Sequence, residues 1–115
     1  MRAMNKQGID MQVINLTTHT ITDAITGIVY PPSGKVLRAD SRTTNQPGYG
    51  DIQVASYEYF LTKGTKLPPE LPDTMYIVSS MALNAVPAHR TDFVAPGPVE
   101  KDDNGKPFAC RGFKR

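Results

Sequence analysis

Apolar positions recur at every second residue in several short stretches of this chain and seldom at helical spacing. "MQVINLT" alternates, with Met11, Val13 and then Leu16 offered to one side. That period predicts a first strand. In "HTITDAITGIVYPPSGKVLRAD" the residues Ile21, Ile25, Ile28, Val29 and Tyr30 favour short strands. Pro31-Pro32-Ser33-Gly34 cannot continue a ladder and should turn the chain. The run resumes over Lys35 to Ala39, with Val36 and Leu37 available to a core. "IQVASYEYFLTKG" is the longest strand candidate, although Ile52, Val54, Ser56, Glu58 and Phe60 share a parity and the alternation is imperfect. "MYIVSS" is a compact apolar run, as expected of a buried strand.

The polar stretches punctuate these runs. "DSRTTNQPGYGD" reads as a mobile loop, and "TKLPPELPDT" as a connection stiffened by prolines into polyproline-like conformation. "SSMALNAV" can form two turns of helix, with Ser79 or Ser80 as the N-cap and Pro87 as the stop. "DDNGKPF" contains Asn104-Gly105, the strongest hairpin signal in the chain. The sum is seven or so short strands and one short helix. That pattern predicts a mainly all-β fold, a two-sheet sandwich or a small barrel. Residues 1–9 are expected to be a disordered or loosely ordered leader, and 10–115 a single domain. A sandwich of this size leaves sheet edges that another subunit commonly covers.

Composition narrows the function classes. The chain has 115 residues, 39% hydrophobic and 21% charged, with ten prolines and nine glycines. A single modest core leaves little room for a deep cleft. The formal charge of +2 is too small for a duplex nucleic-acid face, so no DNA partner is expected. The lone cysteine, Cys110, excludes an intrachain disulfide and a CxxC metal site. No signal-peptide pattern is visible, and no apolar run approaches the roughly 20 residues that cross a membrane. A soluble cytosolic protein without a membrane partner is the expectation.

Catalytic chemistry has no motif to rest on. His19 and His89 are far apart in sequence, and His19 reads as a turn residue bonded to nearby backbone. Arg111 beside Cys110 could activate the thiol, but a small apolar residue on a hairpin strand accounts for Cys110 better. "DDNG" lacks the alternate acidic spacing of a calcium loop and reads as a solvated turn. "GYGD" is too short for a phosphate-cradling loop. No enzyme, cofactor or metal is therefore expected. Binding remains, with Arg38, Arg42, Arg90 and Arg111 as candidate anion grips and Tyr57, Tyr59, Phe93 and Phe113 as rings. Pairing with Asp40, Asp51 or Asp92 at the surface is the plainer account of any one arginine. Arg90-Thr91-Asp92 follows the predicted helix, which also carries Asn84.

Taken together, "INLTTHTI", "PPSGKVLR", "LPPELPDTMYIVSSMALNA" and "RTDFVAPGPVEKDDNGKPFACRGF" resemble a family of small phage and prophage proteins. The likeness covers about residues 13 to 113, and Thr18 stands where that family usually has proline. Among named families the chain resembles the first type of Thoeris anti-defence protein, a sponge for immune signals. The resemblance implies an immunoglobulin-like β-sandwich that assembles as a homo-oligomer, from dimer to hexamer, in the host cytoplasm. It implies a cyclic ADP-ribose-type nucleotide held without chemistry, and in some members a cyclic oligonucleotide in a second pocket. On that reading Arg90 and Arg111 hold phosphate, and Asn84, Thr91 and Asp92 meet hydroxyls or base edges. Met81 or Phe93 packs on the base, and Arg38 belongs to the second pocket. The alternative is a phage structural or accessory protein, a head or tail decoration domain.

Overall fold

The computed structural model describes the backbone of residues 2–4 and 10–115, and side chains from Met11 onward. Among the described residues eleven strands and one helix follow in chain order. The expectation of an all-β fold with one short helix holds. The expected leader falls mostly outside the described residues; within it the backbone of β1 (Arg2–Met4) pairs antiparallel with β2 (Asp10–Asn15).

The main sheet has five strands in the order β1-β2-β7-β8-β11, with β7 at Thr74–Ile77, β8 at Phe93–Pro96 and β11 at Phe113–Lys114. Its centre is parallel: β2 runs with β7, and β7 with β8. This mixed sheet differs from the antiparallel pair of sheets in an immunoglobulin-like sandwich. The cause is α1 (Ser80–Ala85), which carries the chain from the end of β7 back to the start of β8, the connection that parallel neighbours require. The helix begins where expected: Ser79 is the N-cap, and its side chain accepts a hydrogen bond from the Ala82 N–H.

Parallel strands inside a sheet are covered on both faces, and the core divides accordingly. On the helix side Tyr76, Val78 and Phe93 pack with Leu16, Leu37 and Ala82. On the opposite side Ile77 and Val94 pack with Val13 and Tyr30, flanked by Phe113. Val13 and Leu16, expected on one side, thus serve opposite clusters. The strand ends at Asn15, and the Leu16 N–H donates to the Ile77 carbonyl at 2.8 Å.

Three two-stranded ribbons complete the fold: β3 (Ile21–Thr22) with β4 (Val29–Tyr30), β5 (Ala39–Tyr49) with β6 (Ile52–Leu61), and β9 (Val99–Lys101) with β10 (Pro107–Cys110). The last is the hairpin expected around Asn104-Gly105. The polar stretch expected to be a loop is instead most of β5. Each of its residues from Ala39 to Gln46 faces a partner in β6. A ribbon exposed on both sides needs no apolar alternation, so the period that marks a half-buried strand is absent from β5. Of the stretch from Lys35 to Ala39, only Ala39 lies in a strand; Leu37 is buried with its N–H donating to the Leu16 carbonyl.

Candidate functional site

Beyond α1 the chain turns at Pro87, where the Arg90 N–H donates to the Pro87 carbonyl at 3.0 Å, and then enters β8. This turn points the Arg90 side chain inward, with 8% exposed. Its guanidinium grips Asp92 as a fork: Nε donates to Oδ1 at 3.0 Å and Nη2 to Oδ2 at 2.8 Å. Glu70 lies 3.9 Å from Nε. The guanidinium carbon sits 4.9 Å from the Phe93 ring centre. Phe93 stacks on Tyr76 at 5.1 Å, and the Tyr76 hydroxyl donates to the Pro69 carbonyl. The hydrogen bonds that Arg90 donates to Asp92 push its pKa above the ordinary value against the opposing effect of burial. Burial, and then the Asp92 charge, raise that of Tyr76.

Beside this stack lies a cavity of about 240 Å³. Asn84 from α1, Arg90 and Thr91 from the turn, and Phe93 from β8 line it, together with Arg115. Four of the expected site residues therefore share one concave surface. Asp92 is turned toward Arg90 instead, and Met81 is exposed on α1 outside the lining. Arg115 was not singled out from the sequence. It reaches the cavity because β11 runs antiparallel to β8, with Lys114 opposite Ala95. Such register between distant segments leaves no local mark.

Arg111 lies elsewhere. It follows β10, its N–H donates to the Pro98 carbonyl, and its exposed guanidinium donates to Glu100 Oε1 at 3.1 Å. Pro98 is beyond the far end of β8 and Arg90 is before its start. Within one chain the two arginines therefore sit at opposite ends of that strand and do not converge. Arg42 pairs across the β5–β6 ribbon with Glu58 at 3.9 Å, and Tyr57 and Tyr59 lie on the same ribbon. Phe113 makes an edge contact with Tyr30 at 5.8 Å.

Arg38 borders a different depression of about 330 Å³, with Thr17, His19 and Ser79. Thr17, His19 and Ser79 also line an adjoining, more apolar cavity of about 550 Å³ that extends to Pro98, Val99 and Lys114. His19 is exposed at the junction, and its carbonyl accepts from Asn15 and Thr17, the turn role expected of it. Among the described residues no cluster of three or more His, Cys, Asp or Glu could hold a metal ion, and no helix is long and apolar enough to cross a membrane. Comparison of the chain with family models, with curated proteins and with solved structures yields no match.

Proposed function

We propose that this protein binds a cyclic ADP-ribose-type nucleotide without transforming it, as an anti-defence sponge of a phage would. The observation that supports the reading is the meeting of Asn84, Arg90, Thr91 and Phe93 around one cavity. A ring edge, an amide, a hydroxyl and cationic groups are the partners that a base, a ribose and a pyrophosphate need. Arg90 spends two of its five N–H donors on Asp92, so its main part is to hold the wall and stack on Phe93. Arg115 on the rim is the residue placed to grip phosphate.

At about 240 Å³ the cavity falls below the roughly 300–1,000 Å³ usual for sites that enclose a whole small molecule. It accommodates part of such a nucleotide, and a second protomer in a homo-oligomer supplies the remaining wall. Arg111, exposed at the other end of β8, is available to a neighbour's cavity in that arrangement.

The test is incubation with cyclic ADP-ribose isomers, removal of free ligand, heat denaturation and chromatography of the supernatant. Recovery of intact nucleotide, reduced in Asn84→Ala and Arg115→Ala, is the expected result. Cleaved nucleotide, or no uptake, overturns it. A second reading, a phage structural or accessory protein, is favoured by one observation: the long β5–β6 ribbon, exposed on nearly its whole length, has the form of an attachment arm.

A further inference from the structure

Two cavities of about 550 and 420 Å³ share His19, Ile21, Pro96 and Val99 as common walls and so form one trough. Ser80 and Lys114 border one end of it, and Phe108 borders the other. The trough has no wall residue in common with the cavity beside Arg90.

Its middle and far end are apolar. Val99 is 57% exposed and Phe108 60%, and Ile21 is half-buried beside them. The stretch Pro96-Gly97-Pro98 offers no backbone donor. Neither proline has an N–H, and that of Gly97 donates to the Gly112 carbonyl at 2.8 Å. Such a wall cannot read the polar edge of a base or a sugar. What it can do is take a hydrocarbon body out of water.

At the Lys114 end much of the polar lining is already engaged. The Thr17 hydroxyl donates to Asn15 Oδ1 at 2.7 Å, and the Ser79 hydroxyl accepts from the Ala82 N–H. Lys114 is different. Arg42, Arg90 and Arg111 each lie against a carboxylate, whereas among the described residues none stands within ion-pair distance of the Lys114 ammonium. No Asp or Glu lines either cavity. One unopposed cation with three donors, at the end of an apolar trough, selects a ligand with one anionic head and an apolar body.

We infer that the trough binds an amphiphilic carboxylate of the fatty-acid class. Its head meets Lys114, and its chain passes Ile21 and Val99 toward Phe108. The elongated, two-lobed form suits a chain better than a compact ring. Charge rejects the cationic amphiphile of the same shape. At about 550 Å³ the larger lobe falls within the roughly 300–1,000 Å³ of sites that enclose small molecules. The inference is independent of the nucleotide reading, and its test contains no nucleotide.

The test is titration of the isotope-labelled full chain with decanoate, followed by amide chemical shifts. The amides of Ile21, Val99 and Lys114 should shift together and saturate, with a midpoint of about 0.1–1 mM. Hexanoate, with its shorter chain, should bind at least about tenfold more weakly. Decylammonium should leave the wild type unmoved at the same concentrations. Lys114 is exposed, so Lys114→Glu should keep the native amide dispersion. That variant should bind decanoate at least about tenfold more weakly and gain affinity for decylammonium. The inference is overturned if decanoate produces no saturable shift, if its shifts centre on Asn84 and Phe93, or if the wild type takes decylammonium equally. A Lys114→Glu variant that keeps its decanoate affinity, or that takes neither amphiphile, overturns it as well.

Discussion

The Asp23 carboxylate and the Gly112 backbone, 89 positions apart, are joined by a hydrogen bond of 3.1 Å from the Gly112 N–H to Oδ1. The same carboxylate accepts from the Ile25 N–H at 3.0 Å and the Thr26 hydroxyl at 3.0 Å. One side chain thus closes its own turn and ties it to the turn before β11. Burial alone would raise the Asp23 pKa. The hydrogen bonds from Ile25, Gly112 and Thr26 outweigh it and hold the pKa below the ordinary 3.8.

A folded-state pKa below the unfolded one means that the carboxylate stabilises the fold in its charged form. That contribution is complete above the unfolded value near 3.8 and is lost as pH falls through the lower folded value. Asp23→Asn should therefore lower stability at neutral pH by roughly 2–3 kcal/mol and flatten the acid limb of the stability curve. Urea midpoints measured from about pH 2 to pH 7 check this. An unchanged acid limb would mean that another carboxylate controls it.

Asn15 is the second polar hub, 2% exposed at the end of β2. Its Nδ2 donates to the His19 carbonyl at 2.8 Å and the Tyr30 carbonyl at 2.9 Å. Its Oδ1 accepts from the Thr17 N–H and the Thr17 hydroxyl at 2.9 and 2.7 Å. Asn15→Ala strands several of these groups in a dry environment and should cost about 2–4 kcal/mol. Asn15→Asp keeps the acceptor and loses both donations, so it should be nearly as damaging. Denaturant midpoints of the two variants read the difference.

These hubs show where the sequence is legible and where it is not. The β7 strand, α1 with its Ser79 cap and Pro87 stop, and the β9–β10 hairpin follow from short-range signals, because period, cap and turn chemistry act over a few residues. The parallel order β2-β7-β8 does not follow, since register between distant segments leaves no local pattern. Asn15 and Asp23 look like ordinary turn residues until the fold buries them. The glycines of "APGP" and "CRGF" have a similar explanation. A Cβ on Gly97 would overlap the Arg111 carbonyl, and Gly112 adopts a φ of 63°. At the candidate site, the helix-end cluster was readable because Asn84, Arg90, Thr91 and Phe93 are close in sequence. Arg90 and Arg111 lie at opposite ends of β8 within one chain, so the two would meet only across neighbouring protomers.

Cys110 lies at the end of β10, 5% exposed, in a bridge with Asp23. Burial, and then the Asp23 charge, push its thiol pKa above the ordinary value. A buried thiol kept protonated is a poor nucleophile. Alkylation by iodoacetamide near pH 8 should be slower in the native protein than in urea by a factor of about 100 or more. Mass spectrometry of timed samples checks this, and rapid native labelling would show that the β9–β10 ribbon opens readily.

Arg90 and Asp92 provide the sharpest separation of architecture from binding. Their side chains are 8% and 9% exposed, so removing one leaves the other charge buried without its partner. Arg90→Ala should destabilise the protein by about 3–5 kcal/mol. Arg90→Lys should recover only part of this, because an ammonium has neither the planar fork that meets both carboxylate oxygens nor the flat face that lies on Phe93. The double change Arg90→Met with Asp92→Leu removes both charges and refills the volume, so it should be more stable than either single variant. Urea denaturation of the wild type, Arg90→Met, Asp92→Leu and the double variant forms a double-mutant cycle, and additive losses would contradict the pairing. The cycle also decides how ligand data are read. If the double variant folds and still takes up nucleotide, Arg90 supports the cavity wall and the anion is held by Arg115 or by a neighbouring protomer; if it folds and takes up none, the guanidinium itself meets the ligand.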